Sequence, residues 1–488
     1  MLQYISTIAN INRRWEKAIL LPSLFVFVMQ TSCRKLVEVN PPVTSSTSAS
    51  VYNSDATAAA VLTGMYAKLS STSNYSGNHG FTTISLFAGL SADEFTLFDL
   101  ANSNYLAYYA NRLSISSGGF EYWSPIYSYL FACNSALEGI NSSSNLTPGV
   151  KQQLLGEAKF LRAFFYFYLI NMYGDAPLVM SSDYKINAML PRTTKAQIYQ
   201  QIIADLKDAR SFLASNYVDG TLLKKTAERT RPNKWAATAL LARAYLYTGD
   251  WANAEAQATS VIDNSSLYGL ATLNNAFLRN SNEAIWQLQP VTPNISNTQD
   301  AYQFIIPATG PSSSWPVYLS DNLLKNFEAG DLRRTNWIDS VVIAGSTYFY
   351  PYKYKVIAPS APVTEYLMML RLGEQYLIRS EARVQEGKVD AGAADLNSIR
   401  ARAGLPYTTA ATQPTLLSAI QHERQVELFT ELGHRWFDLK RTLAIDTVMN
   451  VVTPKKGGSS WNSYQQLYPI YAQDIQKDIN LTQNPGYQ

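Results

Sequence analysis

The chain has three histidines, His79, His422 and His434, and none has the neighbours that metal or hydrolytic chemistry needs. His422-Glu423 begins like a zinc-protease helix, but the residue four positions on is Val426, so the second imidazole is missing. No GxSxG nucleophile elbow, no phosphate-binding GxxxxGK[ST] loop and no GxGxxG turn occurs. Asp93-Glu94 is an adjacent carboxylate pair. Glycoside hydrolysis instead places two carboxyls about 5 to 9.5 Å apart across a sugar, a geometry that chain neighbours seldom reach. The expectation is a protein that is not an enzyme and needs no cofactor or metal.

What the chain does have is rings and planar polar groups. It holds 32 Tyr, 19 Phe and 9 Trp, rings that serve either as core or as flat binding surfaces, two uses that composition alone does not separate. A pyranose presents a C–H face that stacks on an aromatic ring and a rim of hydroxyls that amides and carboxylates bind. Those residue types gather in two stretches without helical periodicity. The first, about 70–118, carries Tyr75, Asn78, Phe81, Asp93, Glu94, Phe98, Asn102, Asn104, Tyr105, Tyr108, Tyr109 and Arg112. The second, within 267–364, carries Tyr302, Gln303, Trp315, Tyr318, Asp321 and Asn322. The ligand-contact candidates are Trp315 and Tyr105 first, then Tyr108, Tyr75, Asp93, Asn104, Tyr302 and Tyr318. The competing reading of any one of these rings is simple loop packing. Trp123, Trp235, Trp251 and Trp436 fall in helical patterns and are assigned to the core.

The elements that must position these loops are helices. From Glu157 to Val179, apolar residues cover nearly every side of a helix that begins near Pro148, so it must lie inside an all-helical body. Gly174 and Pro177 end it. Further periodic runs are Asp55–Leu69, Phe120–Ile140 and Thr193–Leu213. Asn233–Tyr247 and Trp251–Ile262 are separated only by Thr248-Gly249-Asp250, so they must fold back as a hairpin. Glu365–Glu386 and Asp390–Ala403 repeat that arrangement across Gly387-Lys388. The small residues at their contacts give a tetratricopeptide-like ladder without a fixed period. The fold class expected is mainly α, with a loop-rich, partly β insert whose short strands include IWQLQP and STYFYPYKYKV. The charged group Glu423, Arg424, Glu427, Glu431, Arg435, Asp438, Lys440 and Arg441 reads as helix-spaced ion pairs tying the last helix to the body, and Arg162 and Glu381 read the same way.

The first residues read as an address. Arg13, Arg14 and Lys17 precede a short apolar run, Ala18 to Met29, and small residues lead to Cys33. The run falls short of the roughly 20 apolar residues a membrane span needs. Residues 1–32 are expected to be a lipoprotein signal peptide, Cys33 the lipidated residue, 33–50 a tether and 51–488 the folded domain. Beyond Cys33 the net charge is +1, which gives no footing for nucleic acid. Cys133 is then the one cysteine left and is expected to be buried.

Five blocks together resemble the SusD/RagB family: EAKFLRAFFYFYLINMYGDAPLV, KWAATALLARAYLYTGDWANAEAQATSVI, RLGEQYLIRSEARVQEG with LNSIRARAG, ERQVELFTELGHRWFDLKR, and LYPIYAQDIQKDINLTQNPGY. They run in the family's order from Cys33 to Tyr487, with Tyr471 where the family usually has Pro. The resemblance implies a lipid-anchored outer-membrane protein that captures oligosaccharides and delivers them to a partner, a SusC-like TonB-dependent transporter. Some relatives take peptides, which leaves a peptide or other nutrient as the alternative cargo. Arg34-Lys35 stand where export to the cell surface usually accompanies acidic residues.

Overall fold

The helix over Pro148–Tyr173 is the axis of the molecule, and from Phe160 to Tyr173 every residue on it is buried. The computed structural model describes residues 51–71, 81–119, 121–291, 297–458 and 460–487. Signal, Cys33 and tether lie outside these, as does Tyr75. Residues Tyr52–Gln488 form one unit.

In chain order, the elements that matter are α1 (Asp55–Ser70), α2 (Ile84–Ser91), β1 (Phe95–Leu97), α3 (Ser103–Tyr109), α4 (Trp123–Ser142), α5 (Pro148–Tyr173), α6 (Lys195–Phe212), α7 (Lys234–Thr248) and α8 (Trp251–Ile262). They continue with β2 (Ala284–Leu288), α9 (Gln299–Phe304), β3 (Val317–Leu319), β4 (Ile338–Ile343), β5 (Ser346–Pro351), β6 (Leu367–Arg371), α10 (Leu372–Gln385), α11 (Val389–Arg402), α12 (Gln413–Glu427) and α13 (His434–Arg441). The fold is mainly α with a small β part, as the sequence leads one to expect.

Helices stack in sequence: α4 on α5, α5 on α6, α6 on α7, α7 on α8, α8 on α10, and α10 on both α11 and α12. Local chemistry sets the reversals. Gly249 takes a left-handed φ of 72° to end α7, and the Asp250 side chain then accepts from Asn253 N to start α8. Gly387, φ 80°, performs the same turn between α10 and α11. Aromatic edges lock α5 to its neighbours: Tyr129 stacks on Phe165 at 4.5 Å, and Trp286 of β2 meets Phe164 edge-on at 5.2 Å. Cys133 is buried there.

Three predicted features come out differently. The run Glu365–Glu386 is not helical throughout: Leu367–Arg371 is a buried strand, antiparallel to Ala284–Leu288, and the helix begins at Leu372. Pairing with β2 overrides the helical preference of Leu and Met there. The stretch 70–118 is partly helical, through α2 and α3. Trp123 and Trp436 are core residues, but Trp235 and Trp251 are half-buried, Trp235 donating its indole N–H to Ser215 O at 3.0 Å.

The charged residues of the last helices are structural; Arg441–Asp438 is a helix-spaced pair, while the other described pairs reach more distant partners. Arg333, Arg371 and Arg402 converge on Glu427; Arg333 also binds Glu423 and Asp331, and Arg371 also binds Glu283 and Glu431. Arg424 pairs with Asp438, Arg441 with Glu381 and Asp438, and Arg435 with Asp93. Arg162 binds Asp205 through two bonds of 2.7 and 2.8 Å. Apart from Arg333–Asp331 and Arg441–Asp438 these bridges join residues well apart in sequence, and those of Arg371 with Glu283, Glu427 and Glu431 clamp the β2–β6 region to α12 and the turn after it. His434 is buried nearby, which pulls its imidazole down to about 4 and keeps it neutral at physiological pH.

Candidate functional site

Two distant segments meet to form one small cavity. From the first, α3 is capped by Asn102, whose Oδ1 accepts from Tyr105 N at 3.1 Å, and this fixes the Tyr105 ring against Phe87 of α2 at 5.7 Å. From the second, Thr298 caps α9 by accepting from Ala301 N at 3.1 Å, which sets Tyr302 and Gln303 on the helix. Beyond Gly310, whose φ of 93° suits glycine, Ser312 and Trp315 exchange backbone hydrogen bonds of 3.1 Å in a tight turn holding Ser313 and Ser314. The Trp315 indole N–H donates to Tyr302 O at 3.0 Å, and the two rings lie 6.4 Å apart at 55°.

A short ladder joins the segments. β1 pairs antiparallel with β3, Thr96 opposite Tyr318, and Phe98 N donates to Pro316 O at 2.7 Å. The resulting cavity, about 120 Å³, is lined by Leu86, Tyr105, Tyr302, Gln303, Ser313, Ser314, Trp315 and Pro316. None of these side chains carries a charge. Gln303 is only 7% exposed, and its Nε2 has no hydrogen-bond partner among the described residues. Beside the cavity, Tyr318, Tyr348 and the exposed Phe98 meet edge to face, Tyr318–Tyr348 at 5.2 Å and Phe98–Tyr348 at 5.9 Å.

Of the residues singled out from sequence, Tyr105, Tyr302 and Trp315 come together at the cavity, and Tyr318 lies on the flanking ring cluster. Two others are corrected. Tyr108 is fully buried, donating its hydroxyl to Glu121 and accepting from Gly119 N at 2.9 Å, so its ring cannot meet a ligand. Asp93 is buried and held by Arg435 through bonds of 2.7 and 2.8 Å; burial works to raise its carboxyl, but Arg435 keeps it below the usual range. Asn104 is half-buried on α3, beside Gly118 and off the cavity wall. Gln303 belongs to the second stretch but not to the contact candidates, and Leu86, Ser313 and Ser314 are missed by sequence altogether. The signal for Gln303 is the Thr298 cap, which starts a short helix and turns Tyr302 and Gln303 to the same cavity.

A wider groove of about 570 Å³ runs past Trp123, Tyr127, Phe131, Val179, Tyr184 and Leu481. Most of its polar groups are already engaged: Tyr127 donates to Pro177 O at 3.0 Å, Ser124 to Asp474 at 2.9 Å, and Ser182 to Glu138. Its surface is largely apolar and, among the described residues, the buried unpaired atom it offers is an acceptor, Asn187 Oδ1, whereas the smaller cavity combines three ring faces with an unpaired amide nitrogen. Among the described residues no group of three potential metal ligands occurs.

Comparison with known proteins matches residues 37–246 to a family model described as starch-binding, associating with the outer membrane, and residues 339–487 to the SusD family model. A SusD-like protein P2 of Formosa agariphila is 26% identical over 427 residues, covering 75% of this chain and 80% of that protein. A SusD superfamily protein from Bacteroides vulgatus superposes with a TM-score of 0.74 at 20% identity, covering 89% of this chain and 99% of that one. A laminarin-binding SusD-like protein superposes with a TM-score of 0.69 at 22% identity, covering 88% and 99%.

Proposed function

The chain belongs to the SusD/RagB family, and on that premise we propose that it is an outer-membrane lipoprotein that binds an oligosaccharide at the Tyr105–Tyr302–Trp315 cavity and passes it to a SusC-like TonB-dependent transporter. The single observation that carries the ligand reading is the cavity itself: three aromatic rings from two segments around one unpaired amide. Ring faces take the C–H surface of a sugar, while the amide and the two serines take its hydroxyls. The starch-binding description of the family model and the laminarin-binding relative support a glycan as the cargo. No residue is assigned a catalytic role: Asp93 is spent on Arg435, and Glu94 points to a backbone amide, Thr430 N at 3.1 Å.

Anchoring is assigned to Cys33, with the domain facing the cell exterior. Binding is reversible, so the function is capture and handover, with a second surface docking on the barrel. The test is affinity electrophoresis of the detergent-solubilised full chain through gels containing polysaccharides. Retarded migration without released sugar is the expected result. Replacement of Trp315 by Ala is expected to weaken binding about tenfold or more, on the order of 1–2 kcal/mol. Indifference of every gel to the protein would overturn the glycan reading and favour a peptide cargo; released product would mean an enzyme.

A further inference from the structure

The glutamine in the cavity wall carries an amide nitrogen that the fold leaves unpaired. Buried amide nitrogens are almost always paired, because an unpaired donor forfeits its hydrogen bonds to water. Gln303 Nε2 is buried without a partner among the described residues, and Gln303 lines the cavity where Tyr105, Tyr302 and Trp315 meet. The remaining wall is Leu86, Pro316 and two serines, with no cation and no carboxylate. The ionisable neighbour on the same helix, Asp300, lines a separate void with Lys353 and Glu431.

We infer that Gln303 is the specificity-determining residue of this site, donating its amide to an acceptor oxygen of an uncharged sugar unit, and that the site rejects acidic glycans. This rests on the glycan reading above and narrows its substrate class. A uronate carboxylate or sulfate ester entering the cavity would lose its hydration and meet only neutral donors, a poor exchange for a buried charge. A hydroxyl, a ring oxygen or an acetamido carbonyl loses far less and completes the Gln303 hydrogen bond. With a volume of about 120 Å³ the cavity takes a short piece of a glycan and not the whole chain. The rest of the chain then lies outside, where Phe98, Tyr318 and Tyr348 offer their rings.

The experiment is titration calorimetry on the detergent-solubilised full chain and its Gln303→Leu and Trp315→Ala variants. The probes are neutral polysaccharides (a β-glucan, an α-glucan, a mannan) and acidic ones (alginate, polygalacturonate, a sulfated galactan) at low salt. Binding is expected for one or more neutral polymers and to be at least tenfold weaker for every acidic one. Gln303→Leu is expected to weaken the neutral interaction at least tenfold while leaving the thermal midpoint of the ligand-free protein unchanged or higher. A residue kept for packing would move the midpoint down. Acidic polymers binding as well as neutral ones, unchanged binding by Gln303→Leu, or a lowered midpoint overturns the inference. If neutral binding persists, responds to Trp315→Ala and ignores Gln303→Leu, this inference alone falls. If no polymer binds at all, the glycan reading falls with it.

Discussion

Glu94 is a buried carboxyl that accepts from the Thr430 backbone amide, and burial, aided by the charge of Asp93, pushes it up to about 8. The folded protein therefore keeps a proton that the unfolded chain releases near 4.5. Stability from this group is complete below that value and is lost as pH rises toward 8. Glu94→Gln keeps an acceptor for Thr430 N and cannot ionise. Between pH 5 and 8 the variant is expected to gain on the parent by about 2–4 kcal/mol, measured as the difference in urea unfolding free energy. Glu374 has the opposite sign. Burial works to raise it, but Arg243, bound through two bonds of 2.6 Å, takes it down to about 2. Its contribution is present above its ordinary 4.5 and is lost as pH falls toward 2. Arg243→Met alone is expected to cost about 3–5 kcal/mol by stranding that charge, and Arg243→Met with Glu374→Gln to recover most of it. A double variant as unstable as the single in chemical denaturation would refute this account.

At the scale of elements, the helical hairpins were legible because their signals are local: apolar spacing, a terminal glycine and an acidic or hydroxyl cap within one turn. Helix α5 begins and ends where Pro148 and Gly174 place its ends, and α8 spans the predicted residues. The misreadings arise where the deciding partner is distant. Strand β6 looks helical until β2 is set beside it, and α2 is buried on all sides, so it has no polar face to betray its period. The site divides the same way. Residue type alone pointed to Trp315, Tyr105 and Tyr302, whereas Tyr108, on the same face of α3 and against the same Phe87, is enclosed by Gly119 and Glu121, partners that residue type does not reveal. Close approach within a hairpin yields a further prediction. A methyl at Gly392 of α11 would meet Val384 of α10 and come within 2.9 Å of the Ser380 carbonyl. Gly392→Ala is expected to cost about 1–3 kcal/mol through overpacking, seen as a lower denaturation midpoint with the glycan affinity unchanged.

For the molecule as a whole, residues far apart in sequence are held by buried charge. Glu283, Arg333, Arg371, Arg402 and Glu427 come from five separate stretches and form one ion-pair group. That group ties the insert's neighbourhood to the last helices, while the cavity draws on both the 84–110 region and the insert. The anchor proposed at Cys33 is tested at this scale. Cys33→Ser is expected to remove labelling by a radioactive fatty acid and shift the protein from the membrane fraction to the soluble one, and retention in the membrane would refute it.

The pairing of β2 with β6 has a consequence for how such a molecule can change. Leu288 stands opposite Leu367, so the chain leaves the helical body and returns to it at neighbouring positions. The described residues between 289 and 366 thus form an excursion that leaves and rejoins the body at one place, while Arg333 and Lys353 among them are bound to Glu423, Glu427 and Glu431. It carries Tyr302, Gln303 and Trp315 but borrows Tyr105 and Leu86, and it is stitched to them through β3 on β1. A transplanted excursion therefore brings a new appetite to an old scaffold only if it arrives with an edge strand that β1 will accept and with cations for Glu423, Glu427 and Glu431.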